Sequence, residues 1–247
     1  MTPLTSEEFS TIQRFCELMS DKLARLNMNV FIESDFREFV RLRREIAAGA
    51  FLPSTWDPTS CDLSFHNAFW LRAVDHRGRT VATMAQRVFD TDSFLDEIRS
   101  LRLWRSSGRS GAPGVFGAID CPTAPSLSGR VGHSGGLWID PSFRKKNVSG
   151  YLDHLSRALL LKNYWFDHIT AVIFEKLAAK GIATRQYGWP RITGHFEFDL
   201  LLGGELFPIV FCDMSRAEVL GRIDQWLLFP EADSYEELEK VGELLVD

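Results

Sequence analysis

Scarcity sets the first bounds on this sequence. The four cysteines, Cys16, Cys61, Cys121 and Cys212, are scattered, with no C-x-x-C pair and no histidine at ligand spacing. A metal site is therefore not expected, nor is the disulfide framework of a small secreted domain. Charge of one sign is also scarce: 28 Lys and Arg against 33 Asp and Glu give a net charge of −5. No global field favours nucleic acid, so none is expected as a partner. No apolar run approaches the roughly 20 residues of a membrane span. The opening stretch, MTPLTSEEFSTIQRF, has neither a cationic nor an apolar segment, so no signal peptide is expected and the location reads as cytoplasmic. Internal repeats are missing as well. What remains is a 247-residue chain, 45% hydrophobic and 25% charged, long enough for one large domain and a sizeable core.

The most informative stretch is Val131 to Leu161, VGHSGGLWIDPSFRKKNVSGYLDHLSRALLL. It reads as a short apolar strand (Gly136 to Asp140), a break at Pro141, a basic turn and an amphipathic helix. Val148, Leu152, Leu155 and Leu159 mark one buried face of that helix. Between strand and helix lie Arg144, Lys145, Lys146, Asn147, Val148 and Ser149. Such a turn gathers free backbone N–H groups, cationic side chains and the positive end of the helix dipole at one point. That point suits a phosphate or diphosphate.

Elsewhere the elements follow from local signals. Thr5-Ser6-Glu7-Glu8 resembles a capping box opening a helix to about Leu26. Met28 to Ile32 reads as a short strand, and Ser34 or Asp35 caps a helix from Phe36 to about Ala48. Its Arg37, Arg41, Arg43 and Arg44 read as a solvated face. After a Pro-containing passage (Phe51 to Ser60), Ala68–Val74 and Thr80–Phe89 form a β-hairpin around Gly78. Asp92 or Ser93 caps a helix to about Trp104. The Gly, Ser and Pro-rich segment from Arg105 to Arg130 is too long for a plain connection, so it reads as a substrate-facing lid or a mobile insertion. Ile169–Phe174 is a buried strand, and Lys176 to about Tyr187 is a short helix interrupted by Gly181 and stopped by Pro190. His195–Leu202 and Glu205–Cys212 form a second hairpin through Gly203-Gly204. Ser215 caps a helix to about Leu227, and an acidic tail with a short helix follows Pro230.

Together these elements resemble the GCN5-related N-acetyltransferase superfamily. The turn Arg144-Lys145-Lys146-Asn147-Val148-Ser149 is similar to that family's Arg/Gln-x-x-Gly-x-Gly/Ala pattern, with Asn147 and Ser149 at the small positions. From about Ser64 to Met214 the order β-β-α-loop-β-α-β-α-β-β also matches. The resemblance implies an α/β (α+β) fold, with a mixed, mostly antiparallel central sheet flanked by helices. Residues 1–63 would be an N-terminal helical segment, 64–229 the core with an insertion at 91–130, and 230–247 an acidic tail. It further implies an N-acyltransferase using acetyl-CoA or another acyl-CoA as co-substrate, acting on a small-molecule amine. A homodimer is compatible with it. A bulge at Gly135-Gly136 and the backbone of Leu137, Trp138 and Ile139 would hold the pantetheine arm, and the amides from Arg144 to Ser149 the diphosphate. His133 and Glu175 are the candidate bases, and Tyr187 is the candidate acid. The plainer readings are an exposed strand-end His, a solvated Glu at a helix start and a Tyr packed at a helix end. The Tyr that many members carry four positions before the Gly of the Gly188-Trp189 pair is Thr184 here. A long-chain N-acyltransferase and a non-catalytic binding module of the same fold are the alternatives.

Overall fold

Local capping fixes the helices. In the computed structural model, which describes residues 4–47, 52–106, 116–198 and 206–243, α1 (Ser6–Arg25) opens on the expected capping box. The Thr5 hydroxyl accepts from the Glu8 N–H, and the Glu8 carboxylate accepts from the Thr5 N–H. Asp35 rather than Ser34 caps α2 (Phe36–Ile46), whose expected end at Ala48 lies outside the described residues. Ser215 and Glu218 form a second capping box at α6 (Arg216–Leu228).

Among the described residues eight strands make one sheet: β1 (Met28–Glu33), β2 (Ala68–Asp75), β3 (Thr80–Thr91), β4 (Phe116–Asp120), β5 (Gly129–Ile139), β6 (His168–Phe174), β7 (Gly194–Phe198) and β8 (Phe207–Ser215). Their order across the sheet is β1-β2-β3-β5-β6-β8-β7-β4. Every neighbouring pair is antiparallel except β5 and β6. Two parallel neighbours need a crossover, and α4 (Val148–Tyr164) provides it. The architecture is the mixed, mostly antiparallel sheet flanked by helices that the element order implied.

Helices cover both faces of the sheet. α1, α4 and α6 share one apolar core with Phe69, Leu71, Met84 and Met214. On the opposite face, α2 packs with Trp56 against Trp70 and Ala85. Beside it α3 (Phe94–Arg99) packs Phe94 and Ile98 against Phe196 and Phe211.

Several expectations change. α3 has Ser93 at its N-cap position, with no capping bond from that side chain, and ends at Arg99 instead of Trp104; Leu101 beyond it adopts φ 63°. Of the segment expected as a lid or insertion, residues 107–115 lie outside the described residues and Phe116–Asp120 is edge strand β4, paired with β7. β5 starts at Gly129, seven residues (136 − 129) before the expected start, because its glycine-rich half is clamped between β3 and β6. α4 is buried from Gly150 to Leu161 on all sides, not on a single face, since α1, α6 and the sheet enclose it. The helix expected from Lys176 splits into α5 (Glu175–Ala178) and a π-helical turn, Ile182–Gln186, with Gly181 at φ 73° between them. The Gly203-Gly204 turn lies outside the described residues. After Ser234, α7 (Tyr235–Glu243) buries Tyr235 and Leu238 in the core shared by α4 and α6.

Candidate active site

A local irregularity in β5 opens the sheet. Thr83 of β3 faces Trp138, yet Ala85 faces Gly135, so Gly136 and Leu137 together oppose the single residue Met84. That is the expected β-bulge. Gly136 sits at φ 62°, and a Cβ there would lie 3.0 Å from both the Ala85 Cβ and the Phe39 ring, so the position admits little else.

Beyond the bulge the parallel strands part. Pairing between β5 and β6 stops at Ser134–Ala171, although β5 continues to Ile139 and β6 to Phe174. Both strands therefore present an unpaired edge to the gap. A cavity of about 240 Å³ fills it, bounded by Gly136 and Leu137 on one side and Val172 to Phe174 on the other. Tyr187 and Asp153 line it from the α4 side, Trp56 and Arg43 from the α2 side. Trp138 and Ile139 pair with Thr83 and Ala82 of β3.

The basic turn lies between the end of β5 and α4. Asp140 caps the short turn Pro141–Phe143 by accepting from the Ser142 N–H at 2.8 Å. Lys145 and Asn147 then adopt φ of 64° and 54°. Asn147 is the N-cap residue of α4 but no side chain caps the helix, so its leading amides lack that partner. The Asn147 amide instead donates to the Asp233 carbonyl. Arg144 reaches back to the Ile139 carbonyl at 3.3 Å, and Lys146 lies 5.1 Å from the centre of the Phe143 ring. The Ser149 hydroxyl accepts from Gln186 at 2.7 Å, while Val148 is buried in the core.

The structure brings His133 and Tyr187 to the cavity and leaves Glu175 off its walls. His133 is 2% exposed, stacked 6.0 Å from Trp56 and tilted 6.2 Å from Phe94. Thr170 fixes its tautomer. The Thr170 hydroxyl lies 3.0 Å from both the Gly132 carbonyl and Nδ1; with its proton on the carbonyl, the Nδ1 contact is a donation from His133 to Thr170. Nε2 is left with the lone pair. Burial, aided by the Arg87 charge, lowers the His133 pKa to about 3, so the ring is neutral. Burial and then the Asp153 carboxylate push the Tyr187 phenol up to about 12, so it stays protonated. Glu175 begins α5, half-exposed, 3.9 Å from Nδ1 of His195.

Two charged groups of the cavity escaped the sequence reading. Arg43 was expected on a solvated face, and Arg37, Arg41 and Arg44 are indeed exposed. Arg43 is instead buried, donating from Nη1 to the Gly136 carbonyl at 2.7 Å and to the Thr83 hydroxyl at 3.1 Å. The signal was its place four residues after Phe39, on the apolar side of α2. Asp153 pairs with Arg157 at 2.5 Å inside α4, an i,i+4 spacing that a surface helix would show as well. Burial pushes Asp153 up to about 6 against the pull of Arg157.

No protein-family model matches the sequence, and no curated protein does. Among solved structures the chain is similar to Arabidopsis thaliana NAA60 in complex with acetyl-CoA, at 10% identity and TM-score 0.47, over 77% of this chain and 99% of that one. It is similar to FeeM, an N-acyl amino acid synthase from uncultured soil microbes, at 13% identity and TM-score 0.44, over 78% and 92%. A third similarity is to AAC(6')-Ib in complex with paromomycin and acetyl-CoA, at 12% identity and TM-score 0.43, over 79% and 97%.

Proposed function

We propose that this chain is an acyl-CoA-dependent N-acyltransferase, moving an acetyl or short acyl group to the amine of a small molecule. The observation that carries the reading is the gap between β5 and β6. Two unpaired strand edges flank a cavity, a glycine bulge lies on one of them, and an uncapped helix N-terminus follows it. An extended amide-bearing arm can pair with a free strand edge as another strand would. A diphosphate can take the leading amides of α4 together with Arg144, Lys145 and Lys146.

In the transfer the amine lone pair forms the C–N bond, the C–S bond breaks, and the thiolate leaves with its electron pair. The amine also sheds a proton. His133 accepts that hydrogen bond through Nε2, and its low pKa makes it pass the proton on to water instead of holding it. Tyr187, protonated at neutral pH, donates a hydrogen bond to the departing thiolate.

The test is charge reversal at the turn. Arg144→Glu combined with Lys146→Glu should weaken acetyl-CoA binding about tenfold or more, since each charge-assisted contact is worth about 1.5–3 kcal/mol. An unchanged dissociation constant would remove the turn from the site. If neither wild type nor variant binds any acyl-CoA, the non-catalytic module replaces the enzyme reading.

A further inference from the structure

Buried charge is normally paired, because an ion taken out of water needs a partner to replace its hydration. Arg43 departs from this. It is 5% exposed and lines the cavity. Among the described residues it forms no salt bridge with a carboxylate, and its Nε has no hydrogen-bond partner. Burial alone lowers its pKa, to about 10, with no carboxylate near enough to hold it up. It is therefore a cation at neutral pH.

A second cation faces the same side of the sheet. Arg87 of β3 is 6% exposed, its Nε is also unpartnered, and its charge reaches His133. No salt bridge to a described carboxylate neutralises it. Arg87 lies off the cavity walls, so this side of the sheet carries two buried positive charges, of which Arg43 alone lines the cavity, without a described anion. The phosphates of an acyl donor would not supply one, because their turn leads into α4, which packs on the opposite face.

We infer that Arg43 is the anchor for a carboxylate on the amine acceptor, which makes the acceptor class amino acids and other amines bearing a carboxylate. The inference rests on the acyltransferase reading for its reaction, and on Arg43 alone for its ligand. A guanidinium offers planar paired donors that match a carboxylate, whereas a neutral amine alone gives it nothing to bind. Because Nη1 is fastened to the bulge carbonyl at Gly136, the anchor is held at the edge of the gap. A carboxylate bound there presents the rest of a small acceptor to the opening between the strands.

The experiment uses the full chain with acetyl-CoA and the common amino acids, each beside its carboxamide and its decarboxylated amine. Thiol release reports turnover. The expected result is a kcat/KM about tenfold or more higher for the carboxylate forms, the size of one charge-assisted hydrogen bond. Arg43→Met should erase that preference by raising KM for the carboxylate, and Arg43→Lys should keep part of it. Equal use of carboxylates and carboxamides by the wild type overturns the inference. So does an Arg43→Met variant that loses acetyl-CoA affinity and turns over every acceptor worse by the same factor, which would make Arg43 a clamp on the bulge only. Failure of the acyltransferase reading looks different: no acyl-CoA binds. Stabilisation of the free protein by carboxylates and not by carboxamides, lost in Arg43→Met, would then still support the anchor, and its absence would overturn it.

Discussion

His133 carries its chemistry through its surroundings. Stacking on Trp56 and burial beside Arg87 strip it of the charge switch that an ordinary histidine has near neutral pH. His133→Ala should lower kcat while leaving the acetyl-CoA dissociation constant unchanged. The wild-type kcat/KM profile should show no inflection near pH 6.5 that the substitution abolishes; finding one would contradict a neutral His133. The sign for stability follows from the same shift. The folded pKa, about 3, is below the unfolded value, so the contribution is present above about pH 6.5 and is lost as pH falls toward 3. Wild type should therefore lose stability across that window more steeply than His133→Ala. His133 was legible as a residue at the entry to a strand beside a glycine pair. Its burial was not, because Trp56 and Phe94 reach it from segments far away in sequence. Arg43 fails the other way: its spacing was legible, but three exposed arginines on the same helix made the fourth look like one more.

At the scale of elements, the bulge holds the site together. Gly136→Ala should be destabilising, because it forces a side chain into φ 62° and brings a Cβ to 3.0 Å from Ala85 and Phe39. A loss of about 1 kcal/mol or more is expected, read as a lower Tm, with weaker acetyl-CoA binding beside it. An unchanged Tm and affinity would mean that the bulge is not strained and does not shape the gap. Caps and hairpins were legible, since Thr5, Ser215 and the Gly78 turn act within a few residues. β4 was hidden because Phe116–Asp120 is a short edge strand beside glycines and a proline. Its partner β7 lies some 75 residues on (194 − 120 = 74), a pairing that no local pattern encodes. α4 was assigned one buried face because its periodicity shows one. Burial all round comes from α1, α6 and the sheet enclosing the helix.

At the scale of the molecule, the sheet parts between β5 and β6, and the two sides of that opening differ. Toward α4 the cavity is lined by Tyr187 and Asp153, with the basic turn off its walls between β5 and α4; toward α2 it is lined by Arg43, Trp56 and His133. A donor entering from one side and an acceptor from the other would meet at the bulge. This asymmetry depends on the long-range order β3-β5-β6-β8, which no local sequence pattern encodes. The most direct test is a thermal-shift titration of the wild-type chain with acetyl-CoA, because a ligand that binds the native state raises its Tm with concentration. The account predicts a saturating rise that shrinks at high salt as the diphosphate contacts are screened. A Tm that does not move at any acetyl-CoA concentration would contradict it.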